Sequence, residues 1–177
     1  MTDTTFATDA SGDLRHAVAP TTFGDFTVVG DDAAVTAIHF PDEEAPRDGS
    51  WGEPVDPADH PVLGPAAEQL AAFLRGDRTD FDLPLRPKGT DFQRQAWAAL
   101  LDIPFGETRS YREQAEAIGR PTAVRAVGAA NGRNPIPVVI PCHRVVGSSG
   151  LLTGYAGGTL LKARLLALES GRQTFAG

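Results

Sequence analysis

The sequence predicts an α+β fold made of two domains, a mixed N-terminal domain and a mainly helical C-terminal domain. Two observations favour this division: a hairpin pattern lies early in the chain, and helical periodicity dominates after residue 89. A third is the segment of residues 77–89, which has Pro84, Pro87 and Gly89 near its end and is typical of a linker. The 177 residues suffice for a core in each domain, and we place the boundary between residues 1–85 and 86–177.

The N-terminal domain is predicted to hold one hairpin and one helix. Residues 1–20 lack periodic hydrophobicity and are interpreted as a loose arm. Residues 26–29 and 34–40 are predicted strands on either side of a Gly-Asp-Asp turn. Residues 41–61 are rich in Pro, Asp and Glu and indicate a loop. A helix is predicted over residues 65–75, ended by Gly76.

The C-terminal domain begins with a helix predicted from residue 90 to about residue 102. Thr90 followed three residues later by Gln93 is a capping-box pattern, and an apolar stripe follows it. Ser110 caps a second predicted helix that ends near residue 118, and Thr122 caps a third over residues 123–131. Two short helices joined by a three-residue turn are typical of a helix-turn-helix, a signature that many unrelated helix pairs share.

The end of the chain is predicted to alternate between short strands and a last helix. Residues 137–140 form an apolar run that indicates a buried strand, and residues 145–146 indicate another. A Ser-Ser-Gly turn at residues 148–150 follows. A helix is predicted over residues 159–168.

Charge is distributed unevenly along the chain, whose formal net charge is −7. Residues 1–83 hold 17 acidic and 4 basic side chains, whereas residues 109–168 hold 8 basic and 2 acidic ones. This asymmetry favours a C-terminal part that faces a polyanion, although mixing of the charges on the folded surface would explain the counts as well. Arginine outnumbers lysine and aspartate outnumbers glutamate, which leads to the hypothesis of a salt-loving source.

Targeting and membrane segments are not expected. The chain opens on Met-Thr-Asp-Thr-Thr, which is neither basic nor apolar, and no apolar run approaches the ~20 residues that span a bilayer. The single cysteine excludes an internal disulfide and a cysteine-rich zinc site. We therefore expect a cytoplasmic protein in a reducing compartment.

Cys142 is the first candidate for chemistry, because a cysteine thiolate is a strong soft nucleophile and His143 follows it directly. An imidazole can take the thiol proton, and the bend expected at Pro141 would let both side chains share a site, either directly or through a water. A buried, inert cysteine explains the same tetrapeptide equally well.

The predicted helix over residues 123–131 is the second candidate. It consists almost entirely of Ala, Val and Gly around one long side chain, Arg125. Small side chains allow close backbone approach to DNA, and a single arginine can enter the base stack, as wedge residues do in minor-groove proteins. A tightly packed core helix has the same composition, so the pattern by itself favours the structural interpretation.

Several motifs in order then give a resemblance to a known family. They are Ile-Pro-Cys-His-Arg-Val-Val at 140–146, Arg-Ala-Val-Gly-Ala-Ala-Asn at 125–131, Arg-Asn-Pro at 133–135, Phe-Gly at 105–106 with Ser-Tyr at 110–111, and Gly-Tyr-Ala-Gly-Gly at 154–158. The segment from Thr90 to Glu169 resembles the catalytic domain of the O6-alkylguanine-DNA alkyltransferases. The N-terminal half resembles the family only weakly.

The resemblance implies a fold, a reaction and catalytic roles. The fold would be a ribonuclease-H-like N-terminal domain and a helical, winged helix-turn-helix-like C-terminal domain. Cys142 would accept the alkyl group irreversibly, once per molecule, from O6-alkylguanine and O4-alkylthymine. His143, through a water, would act as base with Glu169 orienting it, a relay that lowers the effective pKa of the thiol. Asn134 would brace the turn between the recognition helix and Cys142.

The resemblance also implies how DNA is handled. Tyr111 would press on the phosphate 3′ to the lesion and Arg125 would fill the gap left by a flipped nucleotide. The main-chain carbonyls of Cys142 and Val145 would accept from the guanine 2-amino group. Tyr155 and the backbone of Ala156 would face N3 and O6, with Tyr155 donating to N3.

No metal and no cofactor are implied, and the expected partner of a monomeric protein is double-stranded DNA that contains O6-alkylguanine. Ala156 departs from those family members that have Ser there, which puts one side-chain contact in doubt. Three functions compete with this one. A binding-only lesion sensor would lack the acceptor cysteine, a winged-helix transcription regulator would need a polar recognition helix, and a Cys–His hydrolase would need an oxyanion site.

Overall fold

The computed structural model describes residues 6–8, 12–152 and 154–171. It divides into two compact units, residues 1–88 and 89–177, with the division three residues beyond the boundary placed from the sequence. The first unit contains a four-stranded sheet and the second is mainly helical, so the α+β prediction is confirmed. Within the described ranges, no helix is long and apolar enough to cross a membrane.

The sheet of the first unit has the strand order β3-β2-β1-β4. Its strands are β1 Arg15–Thr21, β2 Gly24–Gly30, β3 Val35–His39 and β4 Glu53–Pro54. β1 pairs antiparallel with β2, and β2 pairs antiparallel with β3, which confirms the predicted hairpin. β4 adds two residues parallel to β1 inside the segment that was predicted as a loop.

The prediction of a loose arm over residues 1–20 is wrong for the described residues 15–20, which lie in an interior strand of the sheet. Ala17 and Ala19 are buried and Val18 between them is exposed, so the strand alternates as a half-buried strand should. Two alanines carry little hydrophobic signal, and Pro20 is unusual in a strand. The remaining residues of that predicted arm lie partly outside the described residues.

One helix, α1 Leu63–Arg75, covers the sheet of the first unit. It begins two residues before the predicted start, where His60 Nδ1 accepts hydrogen bonds from the main-chain N–H groups of Val62 and Leu63 at 3.2 and 3.1 Å. Gly76 adopts φ 87°, a left-handed conformation that glycine takes without strain, and ends the helix as predicted. The core between helix and sheet includes Phe26, Val28, Leu70 and Phe73.

Asp31, 1% exposed, organises the turn between β2 and β3. Its carboxylate accepts hydrogen bonds from the N–H groups of Gly12, Ala33 and Ala34 and an ion pair from Arg86 at 2.6 Å. Burial by itself would raise the pKa of Asp31, but these donors together outweigh burial and lower the pKa to about 2.

In the described residues, the second unit has four α-helices and one two-stranded ladder. The helices are α2 Asp91–Leu100, α3 Tyr111–Ala117, α4 Val124–Gly132 and α5 Thr159–Glu169; the ladder pairs β5 Arg109–Ser110 in parallel with β6 Val145–Val146. Thr90 and Ser110 both form complete capping boxes, with Gln93 and Glu113. The predicted short strand at 145–146 is confirmed by its pairing with β5.

Two expectations for the second unit are wrong. Thr122 does not cap α4: the N-cap residue is Ala123, which makes no side-chain capping bond, because the helix begins one residue later. Residues 137–140 form a tight turn and no strand, with the N–H of Ile140 donating to the carbonyl of Ile136 at 2.9 Å. Val138 in this turn has φ 71°, an unfavourable conformation for a β-branched residue.

Buried polar contacts join the first three helices of the second unit. The side chains of Gln114 on α3 and Asn131 on α4 exchange two hydrogen bonds of 2.9 and 2.7 Å, and Gln114 also donates to the carbonyl of Ala96 on α2. Trp97 Nε1 on α2 donates to the carbonyl of Ala130 on α4 at 2.8 Å. A buried polar group without a partner destabilises the fold. Because a shift of one helix would break these bonds, they restrict the relative placement of the three helices.

Asp31→Asn should flatten the acid dependence of stability. The folded-state pKa of about 2 lies below the ordinary value of 3.8, so Asp31 contributes stability above pH 3.8 that is lost as the pH falls through 2. We expect urea unfolding between pH 6 and 2 to show that the wild type loses roughly 2 kcal/mol more than the variant. Asp42→Asn, at an exposed position, is the control, and equal losses in all three proteins would contradict the assignment.

Candidate active site

Cys142 begins a short 3-10 turn, Cys142–Arg144, that directly precedes β6. The residue is 7% exposed, and its carbonyl accepts the N–H of Val145, which closes the turn. All three side chains of the turn are buried. The bend expected after Pro141 is therefore present, and it brings the chain's one cysteine and His143 into the same turn.

Asn134 holds the loop that leads to Cys142. Its Nδ2 donates to the carbonyl of Ile140 at 2.8 Å and to Cys142 Sγ at 3.2 Å, while its Oδ1 accepts the N–H of Ile136 at 3.0 Å. The side chain thus supports both the strained turn at Val138 and the sulfur itself. A donor aimed at the sulfur favours the thiolate and acts to lower the pKa of Cys142.

His143 is fully buried and pairs with Glu169, the last residue of α5. His143 Nε2 lies 2.6 Å from Glu169 Oε1, and because an ionised carboxylate only accepts, Nε2 carries the proton. His143 Nδ1 is then an acceptor, and among the described residues it has no hydrogen-bond partner. Burial lowers the pKa of His143 most, the bond and charge of Glu169 raise it, and Arg144 and Lys162 lower it.

Glu169 is bound by more than the imidazole. Arg144 Nε lies 3.1 and 2.9 Å from the two carboxylate oxygens, Nη2 lies 3.0 Å from Oε1, and the N–H of Gly106 donates to Oε2 at 3.4 Å. Burial would raise the pKa of Glu169, but the hydrogen bonds from His143 and Arg144 outweigh burial and lower the pKa. The carboxylate therefore stays ionised while it is almost completely enclosed.

Cys142 in the resting site is a thiol, contrary to the lowered pKa that the resemblance implied. Burial raises the pKa of the thiol, and this effect exceeds the lowering by the Asn134 hydrogen bond and by the charge of Lys162. No hydrogen bond joins Cys142 Sγ to His143 within the part of the chain that the structure describes.

Tyr155 and Lys162 complete the surroundings of the sulfur. The Tyr155 hydroxyl is buried; burial raises its pKa well above the ordinary value, and the charges of Cys142 and Glu169 raise it further. Tyr155 therefore remains a protonated donor. Lys162 is fully buried, burial lowers the pKa of its amine, and a thiolate at Cys142 would raise that pKa again.

The residues expected to handle DNA lie on α3, α4 and two later segments. Arg125 is exposed on α4, and the same exposed face carries the small residues Ala126, Ala129 and Gly132. Tyr111 is half-buried at the start of α3; its ring lies beside Gly128 of α4 and 6.0 Å from Lys162 Nζ. Ala156 is exposed in the loop before α5, whereas the Val145 side chain is fully buried in β6 and leaves only its main chain available.

Sequence reasoning missed Arg144 and Lys162, which enter it only among the eight basic side chains of residues 109–168. Both are buried, at 8% and 0% exposed. The sequence around each residue does not indicate that it is buried. Arg144 contacts Glu169, which is 25 residues later on α5, and Lys162 lies on α5 itself, so the burial of both depends on where α5 packs. In the described residues, no group of three or more His, Cys, Asp or Glu side chains is arranged to hold a metal ion.

Two family models match almost the whole chain. Residues 14–87 match the ribonuclease-like domain of 6-O-methylguanine DNA methyltransferase, and residues 91–171 match its DNA binding domain. A methylated-DNA–protein-cysteine methyltransferase of Mycolicibacterium paratuberculosis is 48% identical over 88% of this chain and 92% of its own length. A constitutive one of Bacillus subtilis is 43% identical over 87% and 94%.

Solved structures give the same result. The chain is similar to the O6-methylguanine methyltransferase of Mycobacterium tuberculosis, with a TM-score of 0.79, 42% sequence identity, and coverage of 92% of this chain and 96% of the other. The same relative has been solved in complex with DNA, and that structure matches with the same TM-score.

Asn134→Ala should raise the pKa of Cys142 further and loosen its loop. The change removes three hydrogen bonds, and we expect a loss of about 1–3 kcal/mol in the free energy of unfolding. Iodoacetamide labelling of the folded variant should show a pH profile displaced to higher pH, since a donor to the sulfur is lost. Arg133→Ala, at the exposed neighbouring position, is the control; an unchanged labelling profile for Asn134→Ala would contradict this role.

Proposed function

Because this chain belongs to the 6-O-methylguanine DNA methyltransferase family, we propose that it repairs alkylated DNA by direct reversal, moving the alkyl group from O6 of guanine to Cys142. The relatives are named for transfer of a methyl group from DNA to a protein cysteine, and Cys142 is the one cysteine of this chain. The structure of a relative with DNA supports DNA as the partner.

The His143–Glu169 pair is the observation that carries the assignment of roles. It leaves Nδ1 of a neutral imidazole as an acceptor in the same turn as the thiol, which is the arrangement that a general base needs. Glu169 orients His143 and stabilises the imidazolium that forms. Since no hydrogen bond joins Sγ to the imidazole in the described residues, we propose that the proton passes through an intervening water.

The reaction is an in-line displacement. The thiol proton moves to His143, the thiolate attacks the alkyl carbon, and the bond from that carbon to O6 breaks with its electron pair left on the purine. The imidazolium then releases its proton to solvent and guanine takes up one proton from solvent, so the protons balance, and Cys142 remains as a thioether. Tyr155, which stays protonated, donates toward N3 and assists departure of the purine, while Lys162 adds a positive charge near the developing thiolate.

DNA recognition is assigned to the helical unit. We propose that α3 and α4 act as a helix-turn-helix, with the β5–β6 ladder as a short wing, and that the first unit is ribonuclease-H-like. Arg125 and Tyr111 rotate the damaged nucleotide out of the stack, and the main chain at Val145 and Ala156 lines the base pocket together with the Cys142 carbonyl. The small exposed residues of α4 allow its backbone to approach the groove closely.

We further propose that the protein is a monomer and lies in the cytoplasm. One reactive cysteine that is used once is best preserved where thiols are kept reduced, and base flipping requires no second subunit. Substrates are O6-alkylguanine and also O4-alkylthymine.

Transfer of label from duplex DNA that contains O6-[³H]methylguanine tests the function directly. We expect label on Cys142, at no more than one methyl group per chain, because the thioether has no route back to a thiol. Peptide mapping of the labelled protein identifies the acceptor. Cys142→Ala should bind the same duplex and accept no label, whereas released methanol, repeated turnover, or absence of transfer by the intact protein would contradict the proposal.

Arg125→Ala should separate base flipping from chemistry. The variant should react with the duplex at least about tenfold more slowly, since filling the stack compensates an unstacking cost of a few kcal/mol. Its rate with the free base O6-methylguanine should remain that of the wild type, because nothing needs to be rotated. Arg75→Ala, an exposed change on α1, is the control. An equal loss on both substrates would place Arg125 in the chemistry instead.

A further inference from the structure

Arg144 is buried in the reactive turn, whereas the other arginines among the described residues of this unit are exposed or half-buried. An arginine that binds DNA phosphates must reach the surface, and Arg144 does not. Burying a guanidinium is costly unless its charge and its donors are matched. Its partners therefore indicate what it does.

Those partners lie on the catalytic carboxylate and on the loop after α2. Nε and Nη2 make a forked contact with Glu169, Nη1 donates to the carbonyl of Ile103 at 2.7 Å, and the guanidinium lies 5.9 Å from the centroid of the Phe105 ring. A planar fork of this kind fixes the orientation of a carboxylate in a way that a single donor does not. Glu169 thus cannot rotate away from His143.

Charge gives the second consequence. The groups that face His143 are Glu169 and Lys162 from α5 and Arg144 and Cys142 from its own turn. With Arg144 present, a neutral His143 makes the set of Arg144, Glu169 and His143 neutral as a whole. Protonation of His143 would then bury an additional positive charge. Without Arg144, an imidazolium paired with Glu169 would be the neutral arrangement, so the pKa of His143 would be higher.

We propose that Arg144 is a positioning residue for the transfer reaction, which holds Glu169 in line with His143 and keeps the imidazole uncharged until it receives the thiol proton. This inference rests on the proposed function, because it assigns Arg144 a part in the same proton relay. It also accounts for a resting site in which Cys142 is a thiol and the imidazole is free to act as base. A cysteine that reacts only once benefits from staying inert until the lesion is bound.

The test compares Arg144→Gln with Arg144→Lys. NMR titration of the His143 ring carbon signals in the full chain should show that the pKa of His143 rises by about one pH unit in Arg144→Gln, the lower end of what one nearby charge produces. In Arg144→Lys the charge is kept and the titration should remain near that of the wild type. Arg75→Gln removes the same charge from an exposed site and should leave the titration of His143 unchanged.

The second readout is the pH profile of single-turnover transfer from O6-methylguanine duplex, measured at a pH range where each variant is folded by circular dichroism. The acid limb should move to higher pH in Arg144→Gln, whereas Arg144→Lys should keep the limb and lose rate, because charge is preserved and the forked contact is not. If Arg144→Gln does not fold, Arg144→Lys alone decides: a wild-type rate in it overturns the positioning role.

The two proposals fail in distinguishable ways. A wild type that transfers no label to Cys142 refutes the function, yet the His143 titration still reports on Arg144. A wild type that transfers normally, combined with superimposable titrations and pH profiles for both variants, refutes only the role of Arg144.

Discussion

The buried carboxylate of Glu169 is the interaction on which the functional unit depends. It ties the end of α5 to the reactive turn through His143 and Arg144 and to the loop after α2 through the N–H of Gly106. An unpaired carboxylate in this position would be costly, so each of these donors stabilises the packing of the helix. One residue therefore links the packing of α5, the conformation of the turn and the ionisation of the base.

The helices around this carboxylate are held by a second layer of polar contacts. Gln114 and Asn131 lock α3 against α4, and Asn131 lies three residues before Asn134, which contacts Cys142 Sγ. The helix that carries Arg125 is consequently linked to the sulfur of Cys142 by a short path, which runs from the end of α4 to Asn134 and its hydrogen bond to Sγ. Rigid placement of this kind suits the proposed reaction, in which a flipped base would have its alkyl carbon in line with the thiolate. The strain at Val138 is borne in the same loop and is supported by Asn134.

Prediction from the sequence succeeded where the determinants are local. Gly76 and the capping box of Thr90 place their helix ends within a few residues because their bonds are made inside one turn. It failed at β1, where alternating alanines give a weak signal and the strand exists because β2 pairs with it. It failed at residues 137–140, where an apolar run is bent by Asn134 into a turn. The pairing of Arg144 with Glu169 was invisible for the same reason, since helix packing brings them together across 25 residues.

The charge asymmetry acquires a different meaning once burial is known. Of the eight basic side chains in residues 109–168, Arg144 and Lys162 are buried and unavailable to phosphates. Six remain at or near the surface against two exposed glutamates, so the electrostatic contribution to DNA binding is smaller than the sequence count indicates. Because each neutralised phosphate adds to the salt dependence of binding, this smaller number favours an association that survives moderate salt. In the proposed reaction the two buried charges serve the chemistry instead: Arg144 holds Glu169, and Lys162 favours the thiolate that would form when the lesion is bound.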